Sequence, residues 1–133
     1  MPTVNVDPAY FFKLFGETLD WETLEQTCFD FGIELEKGVV EEDGVKKEIY
    51  KFEVAANRYD LLSVEGLAQA LAIYRGTRKH PNISYSFEKP RETMKVTGNV
   101  KGVRPYVVCA ILRDIDLGEH GYKSLIDFQD KMH

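Results

Sequence analysis

The residues best suited to chemistry in this chain form the tetrapeptide Asn57-Arg58-Tyr59-Asp60, a polar cluster set between two strongly apolar stretches. An arginine two residues from an aspartate can form a two-point ion pair, clamp an anionic ligand, or satisfy carbonyls where a strand ends. Asn57 tolerates left-handed backbone and can bond its own backbone two residues on. Asp60 lies just upstream of a helical pattern whose unpaired N–H groups favour an anion. Asn57, Arg58 and Asp60 are therefore a structural corner or a contact for a ligand or partner, and the sequence leaves both open. A second candidate is basic. Arg75, Arg78 and Lys79 open a stretch reaching Arg104 whose cations face only Glu88 and Glu92. They read as weak phosphate contacts or as a solvated linker.

Little else offers reactivity. There is no GxSxG, no phosphate-binding loop, no Gly-rich dinucleotide turn and no HExxH, so no catalytic residue and no cofactor is expected in the chain itself. Cys28 and Cys109 sit far apart inside apolar segments and read as reduced, buried thiols. His80, His120 and His133 lack ligand spacing, and no metal site is expected. Glu34, Glu36, Glu41, Glu42 and Asp43 lack the alternating ligands of a calcium loop and read as a solvated edge.

A chain of 133 residues, 44% hydrophobic and 29% charged, is a globular protein of one domain, or one small domain and part of another. Its net charge of −5 argues against strong nucleic-acid binding by the chain alone. That charge is uneven. Residues 1–66 hold 6 Lys/Arg against 15 Asp/Glu, and residues 67–133 hold 11 against 7. No apolar run approaches the roughly 18 residues of a membrane span. No signal-peptide pattern opens the chain, so a cytoplasmic location without membrane contact is expected.

The elements that position these residues are legible in outline. "TVNV" reads as a short strand. Asp7 caps, Pro8 opens and Gly16 closes a first helix with Phe11, Leu14 and Phe15 on one stripe. Asp20 to Gly32 brackets a second helix with Trp21, Leu24, Cys28 and Phe31 in register. Two strands flank the acidic turn before Gly44, and Tyr50, Phe52 and Val54 alternate with polar residues on the second. Ser63 caps a third helix with Val64, Leu67, Leu71 and Tyr74 on its stripe, and Gly76 stops it. The proline-containing stretch after it reads as an extended connector. "RPYVVCAILRDIDL" is apolar on both faces and reads as a long strand needing cover from both sides. "YKSLIDFQDKMH" reads as a helix with Leu125, Phe128 and Met132 in register. The expected fold is α+β: about three helices on a short antiparallel sheet over residues 1–76, a connector over 77–92, and the first strand and helix of a second domain over 93–133.

"FEVAANRYDLLSVEGLAQAL" resembles a segment near the start of the phenylalanyl-tRNA synthetase β subunit, where a strand leads through Asn-Arg-Pro/Tyr-Asp-Leu into EGLA-x-x-L. "MPTV" and "TCFDFGIEL" resemble the archaeal and eukaryotic cytosolic branch of that family. "RPYVVCAILRDI" followed by "YKSLIDFQDKMH" looks like the beginning of its editing domain. Three segments in the right order make the resemblance specific, although Ala55 stands where the family usually has proline or threonine. "ETLDW" also lacks the basic and threonine residues common before the second helix.

The resemblance implies a non-catalytic part of a phenylalanine–tRNA ligase, with aminoacylation carried by a partner α subunit in an (αβ)₂ heterotetramer. ATP and magnesium are implied for the parent enzyme, and tRNA(Phe) is met through the whole complex. The alternative is a stand-alone nucleic-acid-binding or protein-interaction module derived from the synthetase.

Overall fold

The structure, a computed structural model, describes residues 2–42, 44–84, 86 and 89–132, the side chain of Glu42 excepted. The fold is α+β. The element order is β1 (Thr3–Val6), α1 (Pro8–Phe15), α2 (Trp21–Phe31), β2 (Glu34–Glu42), β3 (Val45–Glu53), a 3₁₀ turn (Tyr59–Leu61), α3 (Val64–Tyr74), a second 3₁₀ turn (Gly98–Val100) and α4 (Gly118–Met132). The chain divides into two compact units, residues 1–80 with 117–133, and residues 81–116.

Within the first unit the sheet has the order β1-β3-β2 and is antiparallel throughout. Val4 pairs with Phe52 and Phe52 with Leu35, so three strands present apolar side chains to the same face. The helices begin and end where local chemistry requires. The Asp7 side chain accepts from the Tyr10 N–H at 2.7 Å, and that of Asp20 from the Thr23 N–H at 2.9 Å. Gly16 and Gly32 close α1 and α2 with φ of 96° and 91°, the left-handed geometry that glycine adopts without a Cβ penalty. Two Thr23 hydrogen bonds, from its hydroxyl and its N–H, hold the Asp20 carboxyl below the ordinary carboxylate range.

The core lies where these faces meet. Phe11 is enclosed, stacked on Phe15 at 5.4 Å between ring centres and tilted against Phe52 at 5.3 Å. Leu24, Cys28, Leu67, Ala68, Leu71 and Ala72 are completely buried around it. Each large apolar side chain enclosed in this way contributes about 1.5–3 kcal/mol. Trp21 and Phe31, expected in the core, instead cover its margin: Trp21 meets Tyr50 edge-on at 5.4 Å, and Phe31 meets Tyr74 at 5.4 Å.

Three sequence expectations are corrected. Residues 104–117, read as a long strand, belong to no strand and are exposed along their length. A strand exists only with a ladder partner, and among the described residues this segment has none. Cys109 within it is therefore exposed, not buried. The last helix begins at Gly118, four residues before Tyr122, with Gly118 at a φ of 60° as its first residue and Gly121 inside it, a weak helix preference that context overrides. Of its expected stripe, Phe128 packs against the core of the first unit, while Leu125 and Met132 are exposed.

The two cysteines make a direct check of the packing. Burial pushes the Cys28 thiol up to about 12, with Glu25 adding to the shift, so almost no thiolate forms at pH 8. One thiol per chain should react with a disulfide reagent in the native protein, and mass mapping should place it at Cys109. Cys28 should react only after denaturation. Equal labelling of both cysteines under native conditions would contradict the packing of α2.

Candidate functional site

The corner between β3 and α3 is built from the inside outwards. Val54 follows β3 and is fully buried, its N–H donating to the Pro2 carbonyl at 3.1 Å. The chain then turns twice: the Arg58 N–H reaches the Ala55 carbonyl at 2.9 Å, and the Leu61 N–H reaches the Arg58 carbonyl at 3.0 Å. This puts Leu61 and Leu62 into the core, both 1% exposed. Ser63 restarts the helix, its hydroxyl accepting from the Gly66 N–H at 3.2 Å. Gly66 is required by a close approach: a Cβ there would overlap the carbonyl oxygen of Asp60, and backbone cannot move aside as a flexible side chain can.

The polar tetrapeptide occupies the outside of this corner. The Arg58 Nε donates to Asp60 Oδ1 at 2.9 Å and its Nη2 to Oδ2 at 2.7 Å, a two-point pair. The hydrogen bonds from Arg58 hold the Asp60 carboxyl below its ordinary range against the opposing effect of burial, and Asp60 raises the Arg58 guanidinium in return. The side chains are 45% and 59% exposed. Arg58 therefore does not bond buried carbonyls at the strand end. Its guanidinium carbon instead lies 5.8 Å from the centre of the Phe31 ring, so the arginine tethers Asp60 while covering an aromatic at the core margin. Asn57 is exposed in the preceding turn.

The basic candidates are placed differently from one another. Arg75 Nε donates to Glu17 Oε1 at 3.1 Å and its Nη1 to the Thr27 hydroxyl at 3.3 Å. Arg78 Nη2 donates at 2.7 Å to the Leu14 carbonyl in the last turn of α1, where such oxygens lack helical partners. Both arginines thus tie the segment after α3 to α1 and its following loop, Arg75 reaching α2 as well, while Lys79 is exposed.

A cluster missed by sequence reading lies on the other side of α3. Glu65 accepts from the Tyr10 hydroxyl at 3.3 Å and from the Ser124 hydroxyl at 2.5 Å, and the Tyr10 ring stacks on His120 at 4.5 Å. Burial first, then the Glu65 charge and hydrogen bond, raise the Tyr10 phenol above its ordinary value. Partners 55, 59 and 110 positions apart in sequence leave no local motif, so only the fold could reveal them. The arrangement holds α4 against α1 and α3. His120 is spent on stacking, which leaves Ser124 beside a carboxylate, with no imidazole among the described residues hydrogen-bonded to it to relay its proton.

ATP and magnesium find no matching seat among the described residues. No group of three or more His, Cys, Asp or Glu side chains is arranged to hold a metal ion, and no Gly-rich turn opens a helix towards a phosphate.

The corner makes a quantitative prediction. Because the Arg58–Asp60 pair is largely exposed, a double-mutant cycle with Arg58→Ala and Asp60→Ala should give a coupling of no more than about 1 kcal/mol. Gly66→Ala should cost more, on the order of 1–3 kcal/mol, by forcing α3 off the 3₁₀ turn. The sign with pH follows from the lowered Asp60: the coupling is complete above the unfolded aspartate value of about 3.9 and fades as pH falls through the lower folded value. Urea unfolding at neutral and acid pH measures all three. A cost for Gly66→Ala below that of either corner alanine would contradict the geometry.

Comparison with known proteins agrees with this picture. Residues 1–77 match the family described as "Phe-tRNA synthetase beta subunit B1 domain". A phenylalanine–tRNA ligase beta subunit from Drosophila melanogaster is 33% identical across the whole chain, and those from Saccharomyces cerevisiae and Arabidopsis thaliana are 36% and 38% identical. The chain covers 25%, 22% and 25% of these relatives, so it spans about a quarter of their length. The crystal structure of an N-terminal fragment of the Pyrococcus horikoshii phenylalanyl-tRNA synthetase beta subunit superposes with a TM-score of 0.79 at 30% identity, over 98% of this chain and 37% of that one. With a matching domain over more than half its length and a shared fold, the chain belongs to the phenylalanyl-tRNA synthetase β-subunit family.

Proposed function

We propose that this chain is the amino-terminal, non-catalytic structural part of a phenylalanine–tRNA ligase β subunit. In this reading residues 1–76 form its first module, 77–92 a connector, and 93–133 the start of the editing-type domain. The observation that carries the proposal is the alignment of the entire chain with one quarter of ligase β subunits. The parent enzyme would attach phenylalanine to tRNA(Phe) with ATP and magnesium, as an (αβ)₂ assembly with its α subunit. A cytoplasmic location is supported by the Arabidopsis thaliana relative, which is named cytoplasmic. Among the described residues no helix is long and apolar enough to cross a membrane.

The corner supports an architectural role. Asn57, Arg58 and Asp60 sit on the outer surface of a turn whose inner residues are core, so they are available to a neighbouring part of the assembly. A free-standing nucleic-acid-binding module would need Arg75, Arg78 and Lys79 directed at phosphate. Arg75 and Arg78 already have protein partners, which favours the architectural reading.

The test uses this chain and a chimera. The chain alone should support no phenylalanine-dependent pyrophosphate exchange. Substituted for the corresponding quarter of a related β subunit and co-expressed with the matching α subunit, it should restore an assembled enzyme that charges tRNA(Phe). Exchange activity in the isolated chain, or a folded chimera that does not assemble, would overturn the proposal.

A further inference from the structure

The β2–β3 hairpin extends well past the rest of the sheet. β1 pairs only with Tyr50–Glu53 of β3, whereas β2 and β3 remain paired out to Glu42 and Val45. Beyond Gly38 the sheet is therefore a two-stranded ribbon, and its valines Val39 and Val45 are 64% and 58% exposed. β2 is also a sheet edge along all nine of its residues. Among the described residues, no backbone hydrogen bond other than those of the β3 ladder reaches it. A long, accessible edge with exposed apolar side chains is a template for another strand.

The existing ladder shows what chemistry this edge accepts. On its paired side, Glu36 stands opposite Lys51 and Glu41 opposite Lys46, with Val39 and Val40 between them. Glu34, Glu36 and Glu41 are exposed. Lys37, the basic residue of the strand, is turned to the α2 side, 4.6 Å from the Trp21 ring centre and 3.9 Å from Glu48. A second copy of β2 would bring like charges edge to edge, which disfavours self-pairing. A strand repeating the β3 pattern meets no such repulsion.

We propose that the free edge of β2 is a docking site for an extended segment of a partner protein with basic residues five positions apart, opposite Glu41 and Glu36, and apolar residues between them. Main-chain hydrogen bonds to β2 supply affinity, and Glu34, Glu36 and Glu41 select the charge. This site is independent of the corner and of the family assignment.

The test is a titration of the isotopically labelled 133-residue protein with the peptide Ac-KVVTEKTK-amide and its charge-reversed counterpart Ac-EVVTKETE-amide, followed by amide shifts and exchange. The basic peptide should shift and protect β2 amides and bind about tenfold more tightly than the acidic one. The double variant Glu34→Lys/Glu36→Lys, both positions exposed, should invert that preference while β3 amides keep their native protection. The proposal fails if β2 amides are not perturbed, if the peptides bind equally, if the variant keeps the original preference, or if β2 is already protected by self-association that grows with protein concentration.

Discussion

The first unit depends on one close contact, the seating of the first turn of α3 against the carbonyl of Asp60. No side chain fits between them, and Gly66 supplies the gap. That contact fixes the angle at which α3 leaves the corner, and so where Leu67, Ala68, Leu71 and Ala72 meet the helices and sheet around them. It also accounts for the order of residues along the corner. A tight approach of two backbones needs both of them rigid. The 3₁₀ turn before the contact and the Ser63 cap after it supply that rigidity with hydrogen bonds already satisfied in place.

Relative magnitudes separate the residues that hold the corner from those that decorate it. Leu61 and Leu62 remove apolar surface from water at about 1.5–3 kcal/mol each. The adjoining ion pair is half in water and is limited to about 1 kcal/mol or less. Residue type alone draws attention to Arg58 and Asp60, because charges near apolar sequence are conspicuous. Burial reverses the order of importance. The geometry leaves the ion pair holding Asp60 from outside and shielding Phe31, while the two leucines anchor the turn.

How much was legible in the sequence follows from the range of each interaction. Caps act over three or four residues, so Asp7, Asp20 and Ser63 announce their helices, and Gly16 and Gly32 end theirs. The alternation of Tyr50, Phe52 and Val54 likewise locates β3. The pattern of residues 104–117 is equally clear, but a strand depends on a partner that periodicity cannot supply. Gly118 and Gly121 masked the first turn of α4 because glycine is a poor helix former, a weak preference that context overrides. The Tyr10–Glu65–Ser124 cluster and the reach of Arg78 to Leu14 join residues more than fifty positions apart. Nothing local could have encoded them.

The uneven charge of the chain acquires a physical meaning once these long-range links are in view. An acidic first half and a basic second half suggest opposite partners when read along the sequence. In the fold, the first basic residues beyond α3 turn back onto the acidic half: Arg75 meets Glu17, and Arg78 meets a helix C-terminus whose dipole presents negative charge. Such contacts convert part of the apparent basic patch into internal fastening and leave less positive potential for an external polyanion. Among the described residues, Glu34, Glu36 and Glu41 of β2 have no such ion pair on their open side. The asymmetry that remains after folding is therefore an acidic strand edge, a narrower and more directional feature than the net charge of either half.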